Sequence, residues 1–209
     1  GHLDHILPPR KRLTRGHHKA MPHKDVPKLM KRLQASGSVS AMALELCILT
    51  AARSGEVLNA RWSEVDLHQA AWTVPAERMK AGREHRVPLS KRALEILQLL
   101  KASKVNEYVF PGVKSGRPLS NMSMTMMMRR LDQPYTVHGV RSAFRDWAAE
   151  ETSFPREVAE QALAHVLESA VEKAYRRSDL FEKRRELMNA WEDYCRQPKL
   201  TSKIVTVPS

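Results

Sequence analysis

The sequence predicts a mainly α-helical domain carrying a small antiparallel β-sheet, an α+β fold, on the strength of three observations. Apolar residues recur at helical spacing through most of the chain. Residues 61–90 break that period with short alternating pieces rich in Val, Trp and Thr. Aromatic residues make up only 6% of the 209 positions, which suits packed helices better than a β-sandwich, while an apolar share of 42% is enough for one core.

Taken in order, residues 1–19 are basic and proline-bearing (LPPRKRLTRGHHK) and read as a linker or arm. The chain opens on Gly1-His2 rather than Met, which reads as a cloning scar on an excised fragment. A first helix is expected after His23, with Val26, Leu29, Met30 and Leu33 on one face and its end near Ser36-Gly37. A second, more apolar helix starts near Ser40 and carries Leu44, Leu46, Ile48 and Leu49 towards Arg53. WSEVDL, AWTVPAE and EHRVPLS then read as the strands of the sheet, with Ala81-Gly82 the turn between the second and third.

Helical periodicity returns at Lys91–Lys101, from about Ser120, at Val140–Glu150, and at Arg156–His165, the last entered through Pro155. Asp179-Leu-Phe-Glu182 reads as a capping box for a final helix with the stripe Leu187, Met188, Trp191, Tyr194 and Cys195. The run from Asn121 to Met128 holds five of the ten methionines and reads as adaptable core or interface filler. There is no internal repeat, so one domain is expected over 20–197, followed by a tail at 198–209.

Charge is the strongest global signal. Thirty-five Lys and Arg against 23 Asp and Glu give a net charge of +12, which attracts polyanions and is the usual footprint of nucleic-acid binding; a generically basic soluble protein is the plainer reading. Two unclustered cysteines, Cys47 and Cys195, make neither a zinc site nor a disulfide framework, so a reducing cytoplasm is expected. No apolar stretch approaches a membrane span, and no signal peptide is evident.

Four segments carry polar residues that packing does not require: AARSGEV (51–57), ERMKAGREHRVPLS (77–90), TVHGVRSAFRDW (136–147) and ALAHVLESAVEKAYRRSD (162–179). If His138 opens a helix, Arg141 at i+3 shares its face, and the two can converge on one anion. Guanidinium groups grip phosphate oxygens bidentately and keep their charge at any working pH. Two of them, Arg53 and Arg141, could hold one phosphodiester and stabilise the added charge of a pentacoordinate transition state. A tyrosine with a pKa of about 10 is a weak nucleophile and needs a cationic, proton-accepting setting, which two His and two Arg provide.

The order Arg, Lys, His-x-x-Arg, His, Tyr resembles the phage integrase, or tyrosine recombinase, family. AARSGEV is similar to that family's first-arginine motif, HGVR to its His-x-x-Arg box, and LAH with a Tyr ten residues later to its last histidine and nucleophile. The ERMK…REHRVPLS hairpin, YVFPG and AYRRSDLFEKRRELMNAWEDY resemble the satellite-phage and genomic-island (P4-like) branch. The resemblance covers about residues 20–197 and implies a tyrosine-recombinase catalytic-domain fold there.

It also implies roles. Tyr175 would attack the scissile phosphate, leaving a 3′-phosphotyrosyl link and a free 5′-hydroxyl. Arg53 and Arg141 would clamp the phosphate, Lys80 would protonate the leaving 5′-oxygen, His138 would assist proton transfer, and His165 would hydrogen-bond the phosphate. Glu56 matches the family's acidic position and would orient these groups. The bond energy stays in the phosphotyrosine, so neither cofactor nor metal is implied. The implied partner is double-stranded DNA carrying attachment-site sequences, with self-association on that DNA, and neither a membrane nor a small-molecule substrate.

Family integrases normally carry an N-terminal core-binding domain; only residues 1–19 precede the catalytic region here, so weak DNA binding is expected. Each residue alone also has a plain reading: Arg53 and Lys80 as solvated charge, His165 as a helix cap, Tyr175 as a half-buried core side chain. Together those readings need six coincidences in order. The alternatives are type IB topoisomerase-like strand cleavage and a non-catalytic basic DNA-binding module; a metal-dependent nuclease lacks a convincing acidic cluster, Glu150-Glu151 reading as a solvated helix end.

Overall fold

The structure is a computed structural model that describes residues 20–165 and 180–196. The basic arm at 1–19, the segment 166–179 with Tyr175 and Asp179, and the tail beyond 196 lie outside the described residues.

Helix α1 (Val26–Ser36) carries a proline in its first turn and ends at Gly37, whose φ of 58° is the left-handed conformation that glycine accepts without strain. Helix α2 (Val39–Thr50) is capped by the Ser38 hydroxyl, which accepts from the Ala41 amide. Every α2 residue from Ala43 to Thr50 is buried, as expected of a helix that is apolar all round and forms the centre of the domain. Helices α1, α4 (Lys91–Ala102), α5 (Ser123–Arg130), α6 (Val137–Glu150) and α8 (Phe181–Arg196) all pack on it.

The sheet has the expected antiparallel form. Strands β1 (Val65–Asp66), β2 (Ala71–Val74) and β3 (His85–Pro88) lie in the order β1-β2-β3, with Val65 opposite Trp72 and Val74 opposite His85. Gly82, at φ 61°, turns the β2–β3 connection, and Lys80 stands exposed beside it. In the YVFPG segment, a Cβ on Gly112 would come within 2.4 Å of the Pro118 carbonyl oxygen, so only glycine fits there.

The C-terminal half is held by an aromatic cluster. Trp147 and Trp191 lie 4.9 Å apart, Phe144 meets Trp191 edge-on at 5.5 Å, and the Trp191 indole donates to the Ile48 carbonyl at 2.8 Å. The cavity left by cutting Trp191 to Ala would cost about 3–5 kcal/mol. Glu192 of α8 accepts from the Arg92 amide at 2.7 Å and so caps α4 from another element.

Three boundaries differ from the expectations. Helix α5 starts at Ser123 rather than near Ser120. Helix α6 starts at Val137 rather than Val140, because the Thr136 hydroxyl accepts from the Gly139 amide at 2.9 Å and caps the earlier turn. Helix α7 (Arg156–Ala162) stops short of His165. Ala164 turns left-handed at φ 48°, and the His165 amide bonds back to the Glu160 carbonyl at 3.0 Å, a Schellman closure made without glycine. Of the Met run, Met124, Met127 and Met128 are buried, whereas Met122 and Met126 are exposed. Among the described residues no helix is long and apolar enough to cross a membrane.

Candidate active site

Arg53 stands at the junction of α2 and α3 (Ser54–Leu58), as the N-cap residue of α3. Ala51, left-handed at φ 49°, ends α2 and breaks the chain direction just before it. Glu56 closes the junction: one carboxylate oxygen accepts from the Arg53 amide at 2.9 Å, the other from the Arg53 guanidinium at 2.8 Å. The carboxylate is 6% exposed and the guanidinium 29%, so a buried anion steers a cation that still reaches solvent.

The hairpin is tied to that junction. Arg78, just ahead of the β2–β3 turn, donates to the Glu56 carbonyl at 3.2 Å and pairs with Glu64, which also accepts from the Trp72 indole at 3.0 Å. This lashing brings the β2–β3 turn alongside α3. Arg53, Lys80, Ala81, Glu160, Ala164 and His165 then line one open cleft of about 400 Å³.

Arg141 sits behind this cleft, 8% exposed. Its guanidinium donates to the Ala51 carbonyl at 2.5 Å and also to the Leu163 carbonyl. One side chain of α6 thereby fixes the residue two positions before Arg53 and the residue two positions before His165. Burial, and then the charge of Arg53, pull its pKa down to about 10, so Arg141 stays cationic at any working pH. Cys47 lies in the same electrostatic neighbourhood; burial pushes its thiol up to about 12, and it donates to the Ala52 carbonyl, so it is an inert packing group.

His165 is paired at Nδ1 with the Glu160 carboxylate at 2.6 Å. Burial pushes the Glu160 carboxyl up, but the hydrogen bond from His165 and the charge of Arg145 outweigh it and hold it below the usual range. His138 is exposed on the first turn of α6, one turn before Arg141, and is not among the residues lining the cleft. Tyr175 lies outside the described residues. None of the described tyrosines lines the cleft: Tyr194 bonds His23, Tyr135 bonds Asp25, and Tyr108 lies against Arg61.

Two neighbours of the site are absent from the sequence expectations. Glu160 is one, and its signal is a carboxylate five residues before the motif histidine. His85 is the other, half-buried in β3 among Arg184, Glu56, the Ala162 backbone and Arg141. Burial, then the charge of Arg184, push its pKa down to about 4.

The phage integrase family profile matches residues 19–181. The chain belongs to the phage integrase family. Prophage integrase IntA of Escherichia coli K12 is 38% identical over 187 residues, covering 87% of this chain and 45% of its own length. The integrase of enterobacteria phage P4 is 32% identical over 199 residues, covering 85% of this chain and 45% of its own length. The P4 match bears out the satellite-phage resemblance carried by the hairpin and the C-terminal helix. The lambda integrase dimer bound to a COC′ core site shares the fold, with a TM-score of 0.54 at 22% identity over 77% of this chain and 58% of that one. This phage integrase family chain thus spans about half the length of the curated relatives it matches, at 45% of each.

Proposed function

We propose that this chain is the catalytic region of a site-specific DNA recombinase, integrating or excising a mobile element through a 3′-phosphotyrosyl intermediate at Tyr175. Residues 20–197 form the catalytic domain in this reading, residues 1–19 a basic arm and 198–209 a tail. The observation that carries it is the cleft where Arg53, Lys80 and His165 meet, with Arg141 bonded to the backbone on both sides of it. Two cations and an imidazole from three separate elements around one open cleft suit a phosphodiester better than an apolar ligand.

In the proposed reaction the Tyr175 oxygen attacks phosphorus, its phenolic proton passing to a base, the role this reading gives to His138. The new bond is tyrosyl oxygen to phosphorus; the bond that breaks is phosphorus to the 5′-oxygen, which takes its proton from Lys80. Arg53 and Arg141 hold the non-bridging oxygens, with Glu56 aligning Arg53. His165 donates to the same phosphate. Rejoining reverses each step and draws on no cofactor.

Double-stranded DNA with attachment-site sequence is the proposed partner, and self-association on it is supported by the lambda integrase dimer on its core site. The net charge of +12 favours the same partner, and the proposed place of action is the cytoplasm.

The test is a nicked suicide substrate, which traps the covalent adduct because the cleaved end diffuses away. Wild type should accumulate adduct, and Tyr175→Phe should bind the same DNA with equal affinity yet form none. An adduct that persists in the Phe variant, or that maps to Tyr108, Tyr135 or Tyr194, sinks the reading.

A further inference from the structure

We propose that Glu160 is a positioning residue that acts through His165, with Arg145 holding it from behind. The inference rests on the recombinase reading for its functional part and on geometry alone for its structural part. Glu160 lies in the last turn of α7 and is 5% exposed. One of its carboxylate oxygens meets His165 Nδ1 at 2.6 Å, and the other accepts from Arg145 Nε at 2.9 Å. Arg156 stands farther off, its Nε 4.0 Å from the oxygen that Arg145 uses.

The backbone makes this pairing possible. Residues five apart do not share a helix face, so Glu160 and His165 would not meet on a continued α7. The left-handed Ala164 and the bond from the His165 amide to the Glu160 carbonyl fold the chain back over the last turn. A non-glycine residue in that conformation costs on the order of 1 kcal/mol, which the closure and the hydrogen bonds to the buried Glu160 carboxylate offset.

A carboxylate at Nδ1 has a defined effect on an imidazole. It holds the Nδ1 proton and fixes the ring plane, so Nε2 is the nitrogen turned to the cleft that Arg53 and Lys80 also line, and in the imidazolium form, where both nitrogens carry protons, Nε2 is the one that donates to a phosphate oxygen. The same device orients histidines behind metal ions and in hydrolytic triads. The Glu160 carboxyl, held below its usual range, stays an anion at working pH and suits the role. Arg145, with half of its side chain in solvent, keeps the anion from turning away towards water. The competing account makes Glu160 only the clasp that ends α7, with no influence on the ring.

Two measurements on the full chain separate these accounts. The first needs no catalysis: long-range proton–nitrogen NMR correlation on the histidine-labelled protein, at a pH where the His165 ring is neutral. Wild type should carry its proton on Nδ1, and Glu160→Leu should shift it to Nε2, the form that free imidazoles prefer. A wild-type ring protonated on Nε2 overturns the proposal.

The second is a double-variant cycle read by single-turnover cleavage of the nicked substrate. Glu160→Ala should slow cleavage by about ten- to hundredfold, the range typical of removing the carboxylate that orients a metal-bound histidine, with DNA affinity unchanged. In a His165→Ala background the same change should cost nothing further, because its route is gone. Losses that multiply in the double variant, or a fall in affinity at constant cleavage rate, overturn the proposal. Glu160→Gln, whose amide oxygen can still accept from Nδ1, should retain most of the rate and covers the case in which the Ala variant does not fold. A wild-type protein that forms no adduct refutes the recombinase reading instead, and the NMR result then decides the pairing by itself.

Discussion

Acid should destabilise the wild-type chain through His85 in a window that a His85→Gln variant lacks. The groups facing this imidazole come from four elements: Arg184 on α8, Arg141 on α6, Glu56 on α3 and the Ala162 backbone at the end of α7. Burial and the two guanidinium groups outweigh Glu56 and lower its pKa from 6.5 to about 4. A histidine whose folded pKa is depressed stays neutral in the native state while the unfolded chain takes up a proton. Stability therefore rises with pH across the window and falls as pH drops from 6.5 towards 4. A gap of about two and a half units at about 1.4 kcal/mol per unit makes the full effect roughly 3–4 kcal/mol, of which about 2 kcal/mol is lost by pH 4.5.

Urea unfolding at pH 7 and at pH 4.5 reads this directly. With a denaturant slope of about 2 kcal/mol per molar, the wild-type midpoint should fall by about 1 M more than that of the variant. Carboxylates that titrate in the same range act on both proteins, so the comparison cancels them. Any fixed cost of the substitution appears at both pH values and cancels as well. Parallel pH profiles for the two proteins would show that His85 is solvated and that the charges around it do not control it.

Other predictions follow from the site geometry. Arg53→Ala and Arg141→Ala should each reduce cleavage by about a hundredfold or more, the scale of losing a preorganised transition-state contact; near wild-type rates in both would place the phosphate clamp elsewhere. The two should differ in stability, since Arg141→Ala strips the buried Ala51 and Leu163 carbonyls of donors at about 1–3 kcal/mol each, and calorimetry should show its Tm well below that of Arg53→Ala. Lys80→Ala should slow cleavage of normal DNA but be rescued on a 5′-bridging phosphorothiolate, whose thiolate, with a pKa of about 8.5, leaves without protonation. Equal defects on both substrates would leave Lys80 as a phosphate contact and nothing more.

How much of this was legible in the sequence depends on the range of the interaction that decides each feature. Helix α1 was legible because Val26, Leu29, Met30 and Leu33 repeat at helical spacing and Gly37 supplies the left-handed stop. The sheet was legible because Ala71–Val74 and His85–Pro88 are short, rich in β-formers and joined through a glycine turn. The end of α7 was not. Nothing local distinguishes Ala164 from Ala162, and the left-handed turn at Ala164 is held by bonds to Gln161 and Glu160 that the apolar period extends straight through. For the same reason the Glu160–His165 pair escaped notice, since a spacing of five is neither a helix-face nor a strand-face relation.

Arg141 shows why the site could be located from sequence more readily than its energetics. An arginine three residues after a histidine at a helix start reads as part of an anion clamp, with nothing said of what else it bonds. Here it is buried, and its donors go to backbone carbonyls 90 and 22 residues away in sequence. No local pattern records those bonds, because their acceptors are main-chain oxygens that every residue possesses. The consequence is a division within the site itself. Lys80 is exposed and Arg53 is 29% exposed with one ion pair, so the fold depends less on either side chain than on Arg141 or Glu160. Arg141 and Glu160 each tie two elements together, through the Ala51 and Leu163 carbonyls in one case and through Arg145 and His165 in the other. Changes at the first pair should therefore alter chemistry with the smaller loss of stability. Changes at the second should alter both, because the bonds that place the catalytic groups are the bonds that hold α2, α6 and α7 together.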